Sequence, residues 1–211
     1  MTASMPLTRP AVALSLLAAL ACGKEAPPRE VSAPAPDTFR VAFETSRGRF
    51  VVEAVRAWAP NGADRFHALA REGFFDGNRF FRVVPGFVAQ FGIADDGKAD
   101  ERWEKRPLAD DSVRQHNVRG TIVFTSDGPN TRSHQMFVNL ADNSRLDRDG
   151  FAPFGRVVEG MAVVDSLYDD YGEDPQQRLI RTLGNNYLQR MFPKLDYIVT
   201  ARVLEPVAAR P

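Results

Sequence analysis

Few side chains in this sequence could make or break bonds. There is one cysteine, Cys22, and three histidines, His67, His116 and His134, stand far apart. A lone cysteine excludes an intrachain disulfide framework and a Cys-cluster zinc site, and the scattered histidines argue against a protein-built catalytic metal centre. Ser133-His134 lies in no nucleophile elbow. Asp147, Asp149 and Gly150 begin like a calcium loop but lack its later ligands and bidentate Glu. The pairs Asp95-Asp96 and Asp110-Asp111 sit in loop-like sequence and read as solvated turns. What remains is a cation in apolar company: Arg82, flanked by Phe80, Phe81 and Val83, with Gln90 further along among Val88, Ala89 and Phe91. By itself such an arginine reads as a surface residue of a strand. It could also be a hydrogen-bond donor that needs neither nucleophile nor metal.

Composition narrows the possibilities. The 211 residues carry 27 basic and 27 acidic side chains, with no excess of positive charge to make the basic stripe expected of a nucleic-acid binder. The length suits one domain with a sizeable core and a tail. Six prolines precede Asp37, so the biased composition belongs to the N-terminus.

The elements that must position Arg82 follow from hydrophobic periodicity. Residues 39–45 and 50–55 alternate around a short turn containing Gly48 and predict a β-hairpin. Residues 60–72, with Phe66, Leu69 and Ala70 at helical spacing and Gly73 behind them, predict a short amphipathic helix. Strand-like runs follow at 80–84 and 87–91, split by Pro85-Gly86, then at 121–124, 136–140, 154–158 and 198–204. Alternation through the first of these sets Phe80, Arg82 and Val84 on one face and Phe81 and Val83 on the other. Residues 161–167 predict a second short helix. Residues 176–192 predict a further helix, ending at Pro193, whose apolar face points to packing. Eight strands joined mostly by turns favour a mainly β, closed antiparallel barrel, because closure removes exposed edges.

The N-terminus reads as an address. Residues 11–21 are Ala, Leu and Val interrupted only by Ser15, the length of a signal-peptide core and too short to span a bilayer. The run ends at Cys22 and resembles a bacterial lipobox, in which Cys22 would be lipidated and become the first mature residue. Loss of residues 1–21 removes one charge, Arg9, leaving 26 basic and 27 acidic residues. Residues 22–37, rich in Pro and Ala, predict a solvated tether. The expected plan is thus a signal peptide at 1–21, lipidated Cys22 and tether at 22–37, the folded domain at 38–205 and a tail at 206–211. This places the protein outside the cytoplasm, anchored on the periplasmic or surface side of a bacterial membrane.

Three blocks carry a resemblance. The stretch 73–90, GFFDGNRFFRVVPGFVAQ, resembles the signature of the cyclophilin-type peptidyl-prolyl isomerases. The stretch 128–137, GPNTRSHQMF, is similar to the second signature of that family, and Leu146-Asp147 followed by 154–161, FGRVVEGM, to the third. The blocks stand in family order within residues 39–204. The resemblance implies an eight-stranded barrel capped by two helices, and catalysis of cis/trans isomerisation at X–Pro bonds without cofactor, metal or covalent intermediate. Residues 176–195 have no counterpart in minimal members and would form an extra C-terminal helical segment.

The same resemblance assigns roles. Peptide rotation has a barrier of ~18–20 kcal/mol, because resonance gives the C–N bond double-bond character. A catalyst must favour the twisted amide, in which the prolyl nitrogen regains its lone pair. Arg82 matches the family's catalytic arginine, whose guanidinium donates toward that nitrogen. Gln90 matches the glutamine that bonds substrate backbone and orients the arginine, and Phe137 is counted with these catalytic positions. Phe87, Val88, Phe137 and Leu146 match the proline-ring pocket. Thr125 and Ser126 fall where backbone groups grip the peptide as an added strand, and Gln135 and Phe151 match site-lining positions. Phe81 replaces a common His, Val88 a Met, and Arg145 a Trp that in the family contributes to binding cyclosporin. The expected protein is a monomeric isomerase assisting folding of exported proteins by acting on proline-containing flexible segments. The alternative is a non-catalytic proline-peptide binding or chaperone module on the same scaffold.

Overall fold

The computed structural model describes residues 34–204. The signal peptide, Cys22, most of the tether and the tail lie outside the described residues. Among those described, eight strands, five α-helices and one 3-10 turn follow in the order β1 Thr38–Thr45, β2 Gly48–Val55, α1 Pro60–Arg71, β3 Arg82–Val84, β4 Val88–Phe91, α2 Gly97–Glu104, β5 Thr121–Phe124, β6 Met136–Asn139, the 3-10 turn Ser144–Asp147, β7 Gly155–Glu159, α3 Met161–Asp165, α4 Gln177–Leu183, α5 Asn185–Met191 and β8 Ile198–Leu204.

Every ladder is antiparallel, and the strands form one sheet in the order β3-β4-β6-β5-β7-β2-β1-β8. The closed barrel expected from the strand count is therefore corrected: the sheet is a curled half-barrel whose edges are β3 and β8. The chain ahead of each edge strand meets at a single bridge, Arg79 opposite Tyr197, with the Phe80 N–H donating to the Asp196 carbonyl at 3.0 Å. The same two backbones also bond through the Gly77 N–H to the Ile198 carbonyl and the Ile198 N–H to the Asn78 carbonyl, each at 2.8 Å, while Phe81 turns into an apolar cluster with Ile180, Leu188 and Leu195 of the C-terminal helical segment. Strict alternation fails here. Phe80 and Val83 both enter the main core, so Phe80 does not share a face with Arg82; regular strand geometry begins only at Arg82.

The main core is phenylalanine-rich. Phe43 and Phe50 are cross-strand partners with parallel rings 4.8 Å apart. Phe66, from α1, packs at 5.0 Å from Phe154 and 5.8 Å from Phe75. Offset and edge contacts of this kind add about 0.5–1.5 kcal/mol per pair beyond burial. Helix α1 starts at Pro60, where a missing N–H costs nothing, and its cap comes from a distance. The Asp111 carboxylate accepts from the N–H groups of Asn61 at 3.0 Å and Gly62 at 2.9 Å.

Asp110 and Asp111 are thus not a solvated turn. Both also pair with the Arg132 guanidinium, at 3.1 and 3.2 Å, which is buried to 2% side-chain exposure. The end of the expected tether is corrected too. Ala35 is buried and donates to Asp64 at 2.9 Å, while the Asp37 carbonyl accepts from the Arg56 N–H at 2.8 Å. Residues 34–37 are docked on the domain.

The expected single helix over 176–192 is two, α4 and α5, broken at Gly184 (φ 61°, ψ −155°). An added Cβ there would lie 2.8 Å from an Asp95 oxygen, so only glycine suits the break. Helix α2 was not anticipated. It is capped by Asp96, whose side chain accepts from the Lys98 N–H at 2.9 Å, and it buries Trp103 and Asp100. Among the described residues no helix is long and apolar enough to cross a membrane.

Candidate active site

Strand alternation sorts β4, β5 and β6 into two faces. Ala89, Phe91, Ile122, Phe124, Met136 and Val138 enter the main core. Their neighbours Val88, Val123 and Phe137 face away from it and form a separate apolar cluster with Phe87, Leu146 and Phe151. Every residue expected to line the proline-ring pocket is in that cluster, and so is Phe151, whose ring lies 5.8 Å from that of Phe137. Val123 went unnoticed in the sequence because an unbroken apolar run such as 121–124 does not reveal which of its members faces out.

Register sets the polar groups beside this pocket. Arg82 is opposite Gln90, Gln90 opposite Phe137, and Phe137 opposite Val123, so one row crosses four strands at about 4.8 Å per step. The Arg82 Nη1 donates to Gln90 Oε1 at 3.3 Å, and Gln90 Nε2 donates to Gln135 Oε1 at 3.0 Å. Gln90 and Gln135 are each only 5% exposed, so each amide relies on the other. Arg82 keeps 24% of its side chain exposed, with its guanidinium carbon 5.3 Å from the centre of the Phe87 ring. The opposite edge of that guanidinium, at Nε, donates to Glu173 Oε1 at 2.6 Å.

A network of amides holds the rim. Asn143 Nδ2 donates to the Phe87 carbonyl at 2.8 Å and to Asn139 Oδ1 at 2.8 Å. Asn139 Nδ2 in turn donates to Thr121 Oγ1 at 2.9 Å. The Asp147 carboxylate accepts from the Asn117 N–H at 2.9 Å and from Asn117 Nδ2 at 2.8 Å, and Asn117 Nδ2 also donates to the Phe151 carbonyl at 2.8 Å. Burial would raise the Asp147 pKa, but the hydrogen bonds from Asn117 and His116 outweigh it and hold the carboxyl below its usual range. This aspartate locks the turn that carries Leu146 and does not belong to a calcium loop. Arg145 leaves the pocket and stacks on the outer side, 4.8 Å from the Phe87 ring centre.

Thr125 continues the β5–β6 pairing: its N–H donates to the Gln135 carbonyl at 2.9 Å. Ser126 turns into the loop that follows, where its Oγ donates to the Gly128 carbonyl at 2.5 Å. Among the described residues no group of three or more metal-ligating side chains comes together.

Eight antiparallel strands in one curled sheet, with Arg82 beside an apolar cluster on the outer face, define the cyclophilin class of fold. The family model for "Cyclophilin type peptidyl-prolyl cis-trans isomerase/CLD" matches residues 40–183. A peptidyl-prolyl cis-trans isomerase of Streptomyces antibioticus is 35% identical over 140 residues, covering 60% of this chain and 81% of the relative. One of Acinetobacter baylyi is 31% identical over 143 residues, covering 65% and 76%. A crystal structure of a cyclophilin-type isomerase of Cryptosporidium parvum superposes with a TM-score of 0.60 at 19% identity, covering 80% of this chain and 98% of that one. The chain belongs to the cyclophilin-type peptidyl-prolyl cis-trans isomerase family and is a peptidyl-prolyl isomerase. Cyclophilins act on proline-containing protein substrates.

Proposed function

We propose that Arg82 performs the isomerisation by donating to the prolyl nitrogen as the amide twists, while the pocket of Phe87, Val88, Val123, Phe137, Leu146 and Phe151 holds the proline ring. The observation that carries this reading is the single row in which Arg82, Gln90 and Phe137 follow one another in register at the pocket's edge. Twisting breaks amide resonance and returns a lone pair to nitrogen, which then accepts a hydrogen bond that the planar amide cannot. A preorganised donor at that point stabilises the transition state alone, and each ~1.4 kcal/mol so gained is tenfold in rate. Gln90, itself held by Gln135, fixes one end of the guanidinium. Backbone groups at Thr125 and Ser126 grip the substrate as an added strand, and Phe137 forms the pocket floor.

The setting is part of the same proposal. Residues 1–21 direct export, Cys22 carries lipid, and the monomeric enzyme works on unfolded or flexible segments of exported proteins at the outer side of a bacterial membrane. The apolar run, the position of Cys22 and the Pro-rich sequence behind it support this reading.

Isomerisation of an X–Pro peptide, followed by NMR exchange, tests the site. Wild type accelerates exchange and Arg82→Ala loses about a hundredfold or more, the cost of removing one oxyanion-type donor. Equal acceleration by both proteins would remove Arg82 from the mechanism. Mass spectrometry of the mature N-terminus tests the anchor: an acylated Cys22 is expected, and an unmodified start, or one at another residue, defeats it.

A further inference from the structure

The Arg82 guanidinium is held from both sides. Gln90 accepts from Nη1 at 3.3 Å. On the opposite edge Glu173 Oε1 accepts from Nε at 2.6 Å and also contacts Nη2. An arginine has five N–H donors. Two are committed to hydrogen bonds, one at Nε and one at Nη1, and Nη2 lies in ionic contact with the same carboxylate oxygen, so N–H groups of the terminal nitrogens remain for the substrate.

Glu173 is far from Arg82 in sequence and stands in the loop between α3 and α4, just ahead of the C-terminal helical segment. Its position is built, although its side chain is 65% exposed. It stands in a turn closed by the Gly172 N–H donating to the Asp169 carbonyl at 2.9 Å and the Asp174 N–H to the Tyr171 carbonyl at 2.9 Å. The ring of Tyr171 is clamped edge-on between Tyr168 at 4.9 Å and Phe192 at 5.1 Å, and Phe192 meets Tyr187 at 5.6 Å. These rings pack on the cluster that buries Phe81, the residue immediately before Arg82. The stretch from Tyr171 to Leu195 therefore grips Phe81, just ahead of β3, and reaches the head group of Arg82 through Glu173.

We propose that Glu173 is a positioning residue for the isomerase reaction, holding the guanidinium plane so that its terminal N–H pair is presented to the prolyl amide; this rests on the role given to Arg82 above. An arginine side chain carries about 2 kcal/mol of rotamer entropy, and the single long bond from Gln90 leaves the plane free to rotate about it. A carboxylate oxygen shared by Nε and Nη2 removes that rotation before substrate arrives, which lowers the reorganisation needed in the transition state. Glu173 touches no substrate atom in this arrangement, so its effect falls on kcat more than on KM.

The test is a cycle of four full-length proteins, wild type, Glu173→Ala, Arg82→Ala and the double variant, with Glu173→Gln beside them. Each is measured for kcat and KM on one X–Pro peptide at low and at high salt. Glu173→Ala lowers kcat about two- to fivefold, the scale of a partly exposed ion pair, with KM nearly unchanged. Glu173→Gln recovers at least half of the loss, because its amide oxygen still accepts from Nε. High salt narrows the gap between wild type and Glu173→Ala by screening the pair. In the Arg82→Ala background the Glu173 substitution has no effect. A rise in kcat or a fall in KM for Glu173→Ala would show the carboxylate to be a plug and overturn the proposal, as would kcat equal to wild type. A loss of the same size in the Arg82→Ala background would assign Glu173 a purely structural role and overturn it too. Arg82→Ala with full wild-type activity would instead bring down the reading of Arg82, and the role of Glu173 with it.

Discussion

Asp147 and Asn117 are joined twice, the Oδ1 of the aspartate accepting both the backbone N–H of Asn117 at 2.9 Å and its side-chain Nδ2 at 2.8 Å. The pair closes the underside of the pocket. Asn117 is fully buried and holds the Phe151 carbonyl, while Asp147 ends the 3-10 turn that presents Leu146.

Removing that carboxylate should reach the pocket from below. Asp147→Ala strips Asn117 of two acceptor contacts, and a buried polar group left unsatisfied costs about 1–3 kcal/mol. We expect a lower thermal midpoint and a several-fold higher KM for an X–Pro peptide, with kcat much less affected. A raised KM is the sign that Leu146 and Phe151 have lost their places; an unchanged KM would separate this network from the site.

The same residue predicts a pH dependence. Its hydrogen bonds hold the Asp147 carboxyl below the usual carboxylate range, so folding favours the ionised form. The stability it supplies is complete above the unfolded carboxylate range and is lost as pH falls through the lower folded value. Thermal unfolding of wild type and Asp147→Asn, compared from neutral pH downward, should show a difference that shrinks on acidification. A difference that grows on acidification would reverse the sign of the argument.

Gln135 acts on Arg82 through Gln90. Gln135→Leu leaves the buried Gln90 amide without the acceptor it finds at 3.0 Å, and the freed amide no longer holds its oxygen toward Arg82. A hydrogen bond contributes about 0.5–1.5 kcal/mol net, so kcat/KM should fall between about twofold and tenfold. Circular dichroism should keep its wild-type form while the thermal midpoint falls, because both amides are buried and one left without its partner costs about 1–3 kcal/mol.

The Phe87 ring lies within 4.8 Å of the Arg145 guanidinium carbon and 5.3 Å of that of Arg82. An exposed arginine stands where the family resemblance often puts a tryptophan that contributes to binding cyclosporin, so inhibition of the wild type should be weak. Arg145→Trp should tighten it by about tenfold or more, the weight of one aromatic anchor. An inhibition constant for the wild type as low as in tryptophan-bearing members would contradict this.

Gly92 tests the backbone behind the site. It has φ 107°, and an added Cβ would lie 2.5 Å from the His134 carbonyl oxygen, on the chain leading to Gln135. The His134 ring meets the Gly92 carbonyl through Nδ1 at 2.7 Å, which requires that nitrogen to carry the proton. Gly92→Ala should destabilise by more than about 1 kcal/mol, read as a clear drop in thermal midpoint.

Local sequence alone determined a good deal. Two-residue alternation and the turn residues between runs located all eight strands, β5 and β8 with the bounds found, because strand periodicity and glycine turns act within a few residues. The spacing of Phe66, Leu69 and Ala70 did the same for α1. Periodicity did not single out Arg82, Gln90, Phe87, Val88, Phe137 and Leu146; their expected roles came from the resemblance of three short blocks to family signatures, and the structure gathers them on one face.

Tertiary structure decided what depends on residues distant in the chain. The cap of α1 comes from Asp111, and helix α2 is secured by burying Trp103 in a stretch that reads as a polar loop. Phe81, beside the edge strand β3, is claimed by a helical segment that enters about a hundred residues later. Which member of an apolar run faces the pocket, as Val123 does, follows from register with β6. The second hold on Arg82 follows from a loop that brings Glu173 across 91 positions. Periodicity is a property of neighbours in sequence, whereas edges, caps at a distance and ion pairs are properties of neighbours in space.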